Sequence, residues 1–297
     1  MKGILPGKVC YIAAAVVFAC LAPSCAAFAA EKPSADSVAA ALLSQEQACG
    51  CSLQADYTVT GRSTDGEPVP IWAIRYIRTP EFIYMEDKEL NNPDEASTTT
   101  NKFSYNRNTK DMKIVAVRSR DGTEVEVGWN LWRGEMGGTA TRVTAWNSLD
   151  PLYMLSVPIY QAVRSGSIAD ETEVIDGSVC WRVDVPGPRI GSGDGVAFVI
   201  WVDPAIGFCL RRITRMSQGA LQVGVSFSGY RELGDGIWFP SKVVIEPADI
   251  DDGTVECDLL DDSVRVGVPV PPADIEITFK PGTKVRDIRL GAYFVVP

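Results

Sequence analysis

The sequence contains no histidine, and this limits the chemistry it can perform. Ser-His-Asp and Cys-His nucleophile systems are excluded, together with the commonest zinc sites. Paired carboxylates could still act as the acid and base of a glycosidase. Their positions in the sequence do not pair them, and charged residues usually lie at the surface. We therefore predict no enzyme, and a secreted carboxylate-dependent hydrolase stays as an alternative. The candidate carboxylates are Glu81, Glu86, Asp203 and Glu232.

Two further segments suggest metal or phosphate binding, but neither matches the sequence motif of such a site. The acidic segment 249–253 reads Asp-Ile-Asp-Asp-Gly, with Gly253 where a calcium loop needs a third side-chain oxygen and Leu260 where it needs glutamate. The glycine-rich segment 191–195 does not open a helix, so it cannot place a phosphate at a helix N-terminus. We predict no metal and no cofactor.

Residues 1–30 predict an export signal that is removed from the mature protein. Lys2 and Lys8 are followed by a short apolar core, and the segment 27–29 reads Ala-Phe-Ala, as signal peptidase requires. An uncleaved anchor helix and lipid attachment at Cys20 or Cys25 remain as alternatives. Residues 31–297 then form one predicted domain of an exported protein.

Five of the eight cysteines lie outside the predicted signal. An exported chain enters an oxidising compartment, where disulfides are stable. The odd number leaves at least one thiol unpaired in a monomer, and the pairing does not follow from the sequence. We predict a structural role, bridged or buried, for these cysteines: Cys49, Cys51, Cys180, Cys209 and Cys257.

The charge of the chain argues against nucleic acid as a partner. The formal net charge is −10, and it becomes −12 without Lys2 and Lys8. An acidic surface without a compact basic cluster repels phosphate backbones.

The pattern of apolar residues predicts a mainly β (α+β) fold of about eleven strands. In the segment 221–228, apolar residues alternate with Gln, Gly and Ser, which is typical of a strand with one buried face. Helices are predicted at 37–47, capped by Ser34 or Asp36, and at 148–165, where Pro158 should kink or split the helix. Strands are also predicted at 69–78 and at 275–279.

Both faces of the predicted strand 69–78 are mostly apolar, which indicates that both are covered. A strand in a curved sheet with a helix or an apolar ligand on its concave side has this pattern. We take the apolar residues of such a sheet and of the second helix as candidates for lining a ligand cavity. They are Trp72, Tyr76, Phe82, Tyr84, Phe103, Tyr105, Leu152, Leu155, Ile159, Phe198, Val223 and Phe227.

Several features, in this order, resemble the LolA-like periplasmic lipoprotein carriers, a group that includes outer-membrane lipoprotein-sorting proteins. An exported chain opens on a helix, and Trp201-Val202-Asp203-Pro204 precedes Gly207 and Arg211-Arg212. Tyr230 then precedes the turn 236–240, and the segment 275–287 closes the chain. The resemblance is clearest from about Asp170 onward.

This resemblance implies an incomplete antiparallel β-barrel with helices covering its concave face. The apolar cavity of such a barrel would shield acyl chains of lipoproteins or other lipids and act as a chaperone for sorting toward the outer membrane. Lipid or lipoprotein acyl chains, and a membrane protein as donor or acceptor, are the implied partners. The implied location is the periplasm, with association with the outer membrane as a further option. The same fold is similar to that of periplasmic stress sensors, so a lipid-sensing or lipoprotein-sensing regulatory module is the first alternative.

Overall fold

The computed structural model describes residues 31–62, 67–90, 97–109, 111–120, 123–132, 149–154, 157–186, 197–217, 220–247, 254–287 and 290–297. The predicted signal peptide and the segments 191–195 and 249–253 lie outside the described residues. Residues 33–297 form one compact unit.

The first helix, α1 (Ala35–Ala48), begins where the sequence predicts a cap. The Ser34 hydroxyl accepts a hydrogen bond from the backbone N–H of Ser37 at 3.0 Å, which satisfies one of the free donors of the first turn. Val38, Ala39 and Leu42 are buried. The helix therefore has one apolar stripe, which packs in the main core.

Strands make up most of the rest of the chain, as the alternating apolar pattern predicts. The strands before the second helix are β1 (Leu53–Arg62), β2 (Pro68–Arg78), β3 (Phe82–Glu89), β4 (Ser97–Asn106), β5 (Asp111–Arg120), β6 (Thr123–Trp132), β7 (Tyr153–Met154) and β8 (Val157–Pro158). The later ones are β9 (Ser167–Ile175), β10 (Ser178–Val185), β11 (Ala197–Asp203), β12 (Cys209–Ser217), β13 (Ala220–Ser228), β14 (Arg231–Glu232), β15 (Trp238–Phe239), β16 (Lys242–Pro247), β17 (Val255–Leu259), β18 (Arg265–Val266), β19 (Lys284–Asp287) and β20 (Ala292–Val295).

Sixteen of these strands form one open sheet, more than the predicted number of about eleven. Its order is β20-β19-β6-β5-β4-β3-β2-β1-β17-β16-β13-β12-β11-β10-β9, with β18 paired to β1. All pairs are antiparallel except β19 with β6, which is parallel. The fully antiparallel arrangement is therefore wrong at this one pair, where the chain passes from β18, paired with β1 in the middle of the sheet, to the strand beside β6.

The predicted helix 148–165 is only half correct. The described part of its first half is the hairpin β7–β8, and α2 (Ile159–Arg164) begins directly after Pro158. Proline lacks a backbone N–H and disfavours helical geometry in the residue before it. The helix therefore begins after Pro158, which is its N-cap, and does not extend to the residues before it. The predicted strand 275–279 is wrong, because α3 (Pro272–Ile275) and an irregular segment occupy this part of the chain.

The inner face of the sheet is the face that carries Tyr57, Tyr76, Val183 and Phe227, and it holds the main core. The strand register joins these residues into continuous rows, because directly paired residues share a face. Helices α1 and α2 and the segment 149–152 contribute Leu42, Val163, Leu149 and Leu152 to the same core. The two main helices thus cover the central part of the inner face.

The outer face carries a smaller core beside β2 to β5. Ile77 and Tyr84 pack there with Ile275 and Ile277 from the C-terminal segment, and Phe279 lies against them. Strand β2 therefore buries residues on both faces, as its apolar pattern predicts.

Candidate functional site

Strand β6 leaves an apolar surface on the inner face. Val125 and Val127 alternate with Glu124 and Glu126, so one face of the strand is apolar and the other acidic. Tyr293 and Val295 of β20 lie on the same face, with Lys284 and Arg286 of β19 between them and β6. We define the open strip as Val125, Val127, Trp129, Tyr293 and Val295. Val125 is 56%, Tyr293 61% and Val295 62% exposed, while Trp129 is half-buried.

The open strip is continuous with the protein core. One row of directly paired residues runs from the centre of the sheet to its edge, through Tyr76, Met85, Phe103, Ile114, Trp129, Arg286 and Tyr293. Burial falls along this row, from Tyr76, which is 1% exposed, to the exposed Tyr293. The core therefore opens gradually into an exposed surface, and exposed apolar residues next to polar ones in this way mark binding sites.

The candidate ligand residues lie mostly in the interior. Nine of the twelve belong to the main core or pack against it: Trp72, Tyr76, Phe103, Tyr105, Leu152, Ile159, Phe198, Val223 and Phe227. Tyr84 and Phe82 belong instead to the smaller core on the outer face. Leu155 lies outside the described residues. The structure thus gathers most of the candidates on one face, where they contact protein side chains.

A buried ionic network connects the sheet to the segment before α2. Arg78 Nε donates to Asp150 Oδ2 at 2.6 Å, and the Tyr76 hydroxyl donates to the same oxygen at 2.9 Å. Burial, the largest single effect, would lower the pKa of Arg78, but the Asp150 carboxylate together with Tyr76, Cys49 and Glu46 outweighs it, and the pKa is raised. Asp150 Oδ1 also accepts from the backbone N–H of Leu152 at 2.8 Å. Asp150 caps this turn, although the predicted helix does not follow.

Two of the surface cavities are formed by described residues near the helices. A cavity of about 320 Å³ beside the end of α1 is lined by charged and polar residues, including Glu46, Arg78 and Arg107. Arg107 Nη2 donates to Glu46 Oε1 there at 2.9 Å. The second cavity, of about 430 Å³, lies between α2 and β11 and includes Phe198 among its lining residues. Of the candidate ligand residues, only Phe198 lines either of these two cavities.

The carboxylates considered for catalysis lie in separate places. Asp203 is buried, where Oδ2 accepts from Arg211 Nη2 at 2.8 Å and Oδ1 from the backbone N–H of Ala205 at 2.9 Å. Glu86 accepts from the Tyr84 hydroxyl at 2.8 Å. Glu81 and Glu232 are exposed. In the described part of the chain, no group of three His, Cys, Asp or Glu residues could hold a metal ion.

The five described cysteines are free thiols. Burial raises the pKa of Cys180, Cys209 and Cys257 to about 12 and raises the pKa of Cys49 as well. These four are buried and Cys51 is exposed. The predicted buried role therefore fits four of the five.

The part of the site at the edge of the sheet was not predicted from the sequence. Strands β19 and β20 were not predicted, and with them Tyr293 and Val295. The available signal was the short apolar run 292–296, which reads Ala-Tyr-Phe-Val-Val and follows Gly291.

Comparisons with known proteins give structural neighbours only. No family model and no curated protein matches the sequence. A DUF1329 family protein from Desulfovibrio piger ATCC 29098 is similar at a TM-score of 0.52 and 13% identity, over 80% of this chain and 95% of that chain. This similarity shows a shared fold.

Two further neighbours are less similar. A putative outer membrane lipoprotein-sorting protein domain from Vibrio parahaemolyticus has a TM-score of 0.41 and 12% identity, over 81% of this chain and 95% of that chain. A LolA superfamily protein from Nitrosomonas europaea has a TM-score of 0.43 and 12% identity, over 80% of this chain and 97% of that chain. These two, with TM-scores below 0.5, support no separate conclusion.

Within the described ranges, no helix has the length and the apolar character needed to cross a membrane.

Proposed function

We propose that the protein is an exported carrier that shields the acyl chains of lipids or lipoproteins, with the open strip as part of the binding surface. The observation that carries this proposal is the continuous row from the buried Tyr76 to the exposed Tyr293. An acyl chain laid along the strip would extend the apolar core outward, and each methylene removed from water contributes about 0.8 kcal/mol.

The proposal agrees with the resemblance of the sequence to lipoprotein carriers. It places the binding surface on the open strip and not among the aromatic residues of the central sheet. The aromatic residues of the central sheet pack against one another and against α1 and α2. Binding among them requires the helices to move, whereas binding on the open strip does not. Transport toward the outer membrane and a periplasmic location remain parts of the proposal.

The experiment is extraction of the purified, exported protein with organic solvent, followed by mass spectrometry for acyl-containing molecules. A fluorescent fatty acid is titrated in parallel into the delipidated protein. We expect extracted lipid and saturable uptake of the probe. A protein that yields no lipid and takes up no probe is not a carrier of acyl chains.

A regulatory sensor would also bind lipid, and a stable complex with a membrane protein that changes on lipid binding would favour that function. A hydrolase would instead show turnover that is lost when one carboxylate is changed, with no lipid recovered.

A further inference from the structure

Positive charges lie beside and between the apolar residues of the open strip, because β19 runs between β6 and β20. Three exposed cations lie on the inner face beside it: Arg118, Lys284 and Arg286. Arg118 pairs directly with Val125, Lys284 with Val127 and Val295, and Arg286 with Trp129 and Tyr293. Because paired residues share a face of the sheet, each cation stands next to an apolar residue of the strip.

The two cations of β19 also contact an aromatic ring of the strip. Lys284 Nζ lies 5.0 Å and the Arg286 guanidinium carbon 5.7 Å from the centre of the Tyr293 ring. These are cation–π distances. The contacts place both positive charges over the same ring, at the exposed end of the strip.

The acidic residues nearby lie on the other face. Glu124 and Glu126 alternate with the valines of β6, and both are within 4 Å of Lys280 Nζ. Thr283 also donates to Glu126 Oε1 at 2.6 Å. Among the described residues, no carboxylate lies within ion-pair distance of Arg118, Lys284 or Arg286. Within the part of the chain that the structure describes, these cations thus have no carboxylate partner, although the net charge of the chain is −10.

We infer that the open strip selects single amphiphilic molecules with an anionic headgroup. The apolar residues would cover the acyl chain, and Lys284 and Arg286 of β19, next to the edge strand β20, would contact the headgroup. This inference rests on the proposed function and adds the charge of the ligand to it. Overall negative charge would repel such a ligand elsewhere on the surface, so the local cations decide where the headgroup lies.

The test compares two lysolipids with the same acyl chain, lysophosphatidylglycerol and lysophosphatidylcholine, each below its micelle concentration, by isothermal titration calorimetry. We expect the anionic lipid to bind about tenfold more tightly at low salt, with a smaller preference at high salt. The double variant Lys284→Gln/Arg286→Gln should lose the preference and still bind the neutral lipid.

Lys280→Gln is the matched control, because Lys280 is an exposed cation in the same segment on the other face. It should keep the preference. The substituted side chains are exposed, so far-UV circular dichroism and the urea midpoint should stay unchanged in both variants.

The outcomes separate the inference from the proposed function. Equal binding of both lysolipids by the unchanged protein overturns the charge selection and leaves the carrier function intact. Binding of neither lysolipid overturns the carrier function. Cosedimentation with phosphatidylglycerol vesicles without any preference between the lysolipids would show a membrane-docking surface and would also overturn the inference.

Discussion

Arg78 and Asp150 form an ion pair of 2.6 Å inside the protein, with side chains that are 5% and 0% exposed. The pair joins the middle of the sheet to the turn that leads into β7, β8 and α2. Asp150 also accepts from Tyr76, and Arg78 Nη1 lies 3.5 Å from Glu46 of α1. One buried cation thus connects both main helical regions to the sheet.

Replacing Asp150 should destabilise the protein strongly. In Asp150→Asn the buried Arg78 charge loses its main counter-charge, and breaking a buried pair from one side costs about 3–5 kcal/mol. The free energy of unfolding in urea measures this. The matched control is Asp184→Asn, which removes one carboxylate from the exposed pair with Arg182 and should cost less than about 1 kcal/mol. Equal costs for both variants would contradict the structural role given to Asp150.

Charge placed on the open strip should weaken binding of an apolar probe. Val125→Asp introduces a carboxylate among the residues proposed to cover the acyl chain, and burying it there is costly. We expect affinity for a fluorescent fatty acid to fall about tenfold or more. Val179→Asp is the control, because Val179 is 53% exposed on β10, away from the strip. If the two variants bind the probe equally well, the strip is not the binding surface.

Helices, strands and turns that depend on residues close to them in the sequence could be predicted. Helix α1 follows its apolar composition and the Ser34 cap. The turn at Pro204 follows the Asp-Pro signal, because Asp203 accepts from Ala205 and Gly207 adopts the left-handed conformation at φ 68°. A mainly β fold is therefore predictable from alternation and turn chemistry.

The missed features depend on distant parts of the chain. Strand β19 forms by pairing in parallel with β6, more than a hundred residues earlier, and no local pattern specifies such a partner. The alternation in β6 predicts a strand, but whether Val125 is buried depends on what covers it. The same limit applies to the twelve candidate ligand residues, because the sequence of an apolar residue is the same whether its side chain contacts a ligand or a helix.

Stability should fall in alkaline solution. Burial raises the pKa of Cys180, Cys209 and Cys257 from 9.0 to about 12. A raised pKa in the folded state stabilises the protein below pH 9, and that contribution is lost as the pH rises from 9 through 12, since the unfolded thiols ionise first. Urea midpoints measured between about pH 8 and about pH 11 should therefore decrease.

Cys257→Ala should reduce the dependence of the urea midpoint on pH, while Cys51→Ala, at an exposed thiol, should not. A slope unchanged by Cys257→Ala would contradict this account.

Gly128 allows Phe279 to cover the outer face of β6, opposite the open strip. A Cβ atom at Gly128 would lie 2.5 Å from Phe279 Cε1 and 3.1 Å from Val285 Cγ2. Gly128→Ala should therefore destabilise the protein by about 1–3 kcal/mol through overpacking. The free energies of unfolding of both single variants and of the double variant test whether the clash with Phe279 causes the loss of stability. In a Phe279→Ala background most of the clash is removed, so adding Gly128→Ala should cost clearly less than it does alone. The same cost in both backgrounds would show that Phe279 does not set the requirement for glycine.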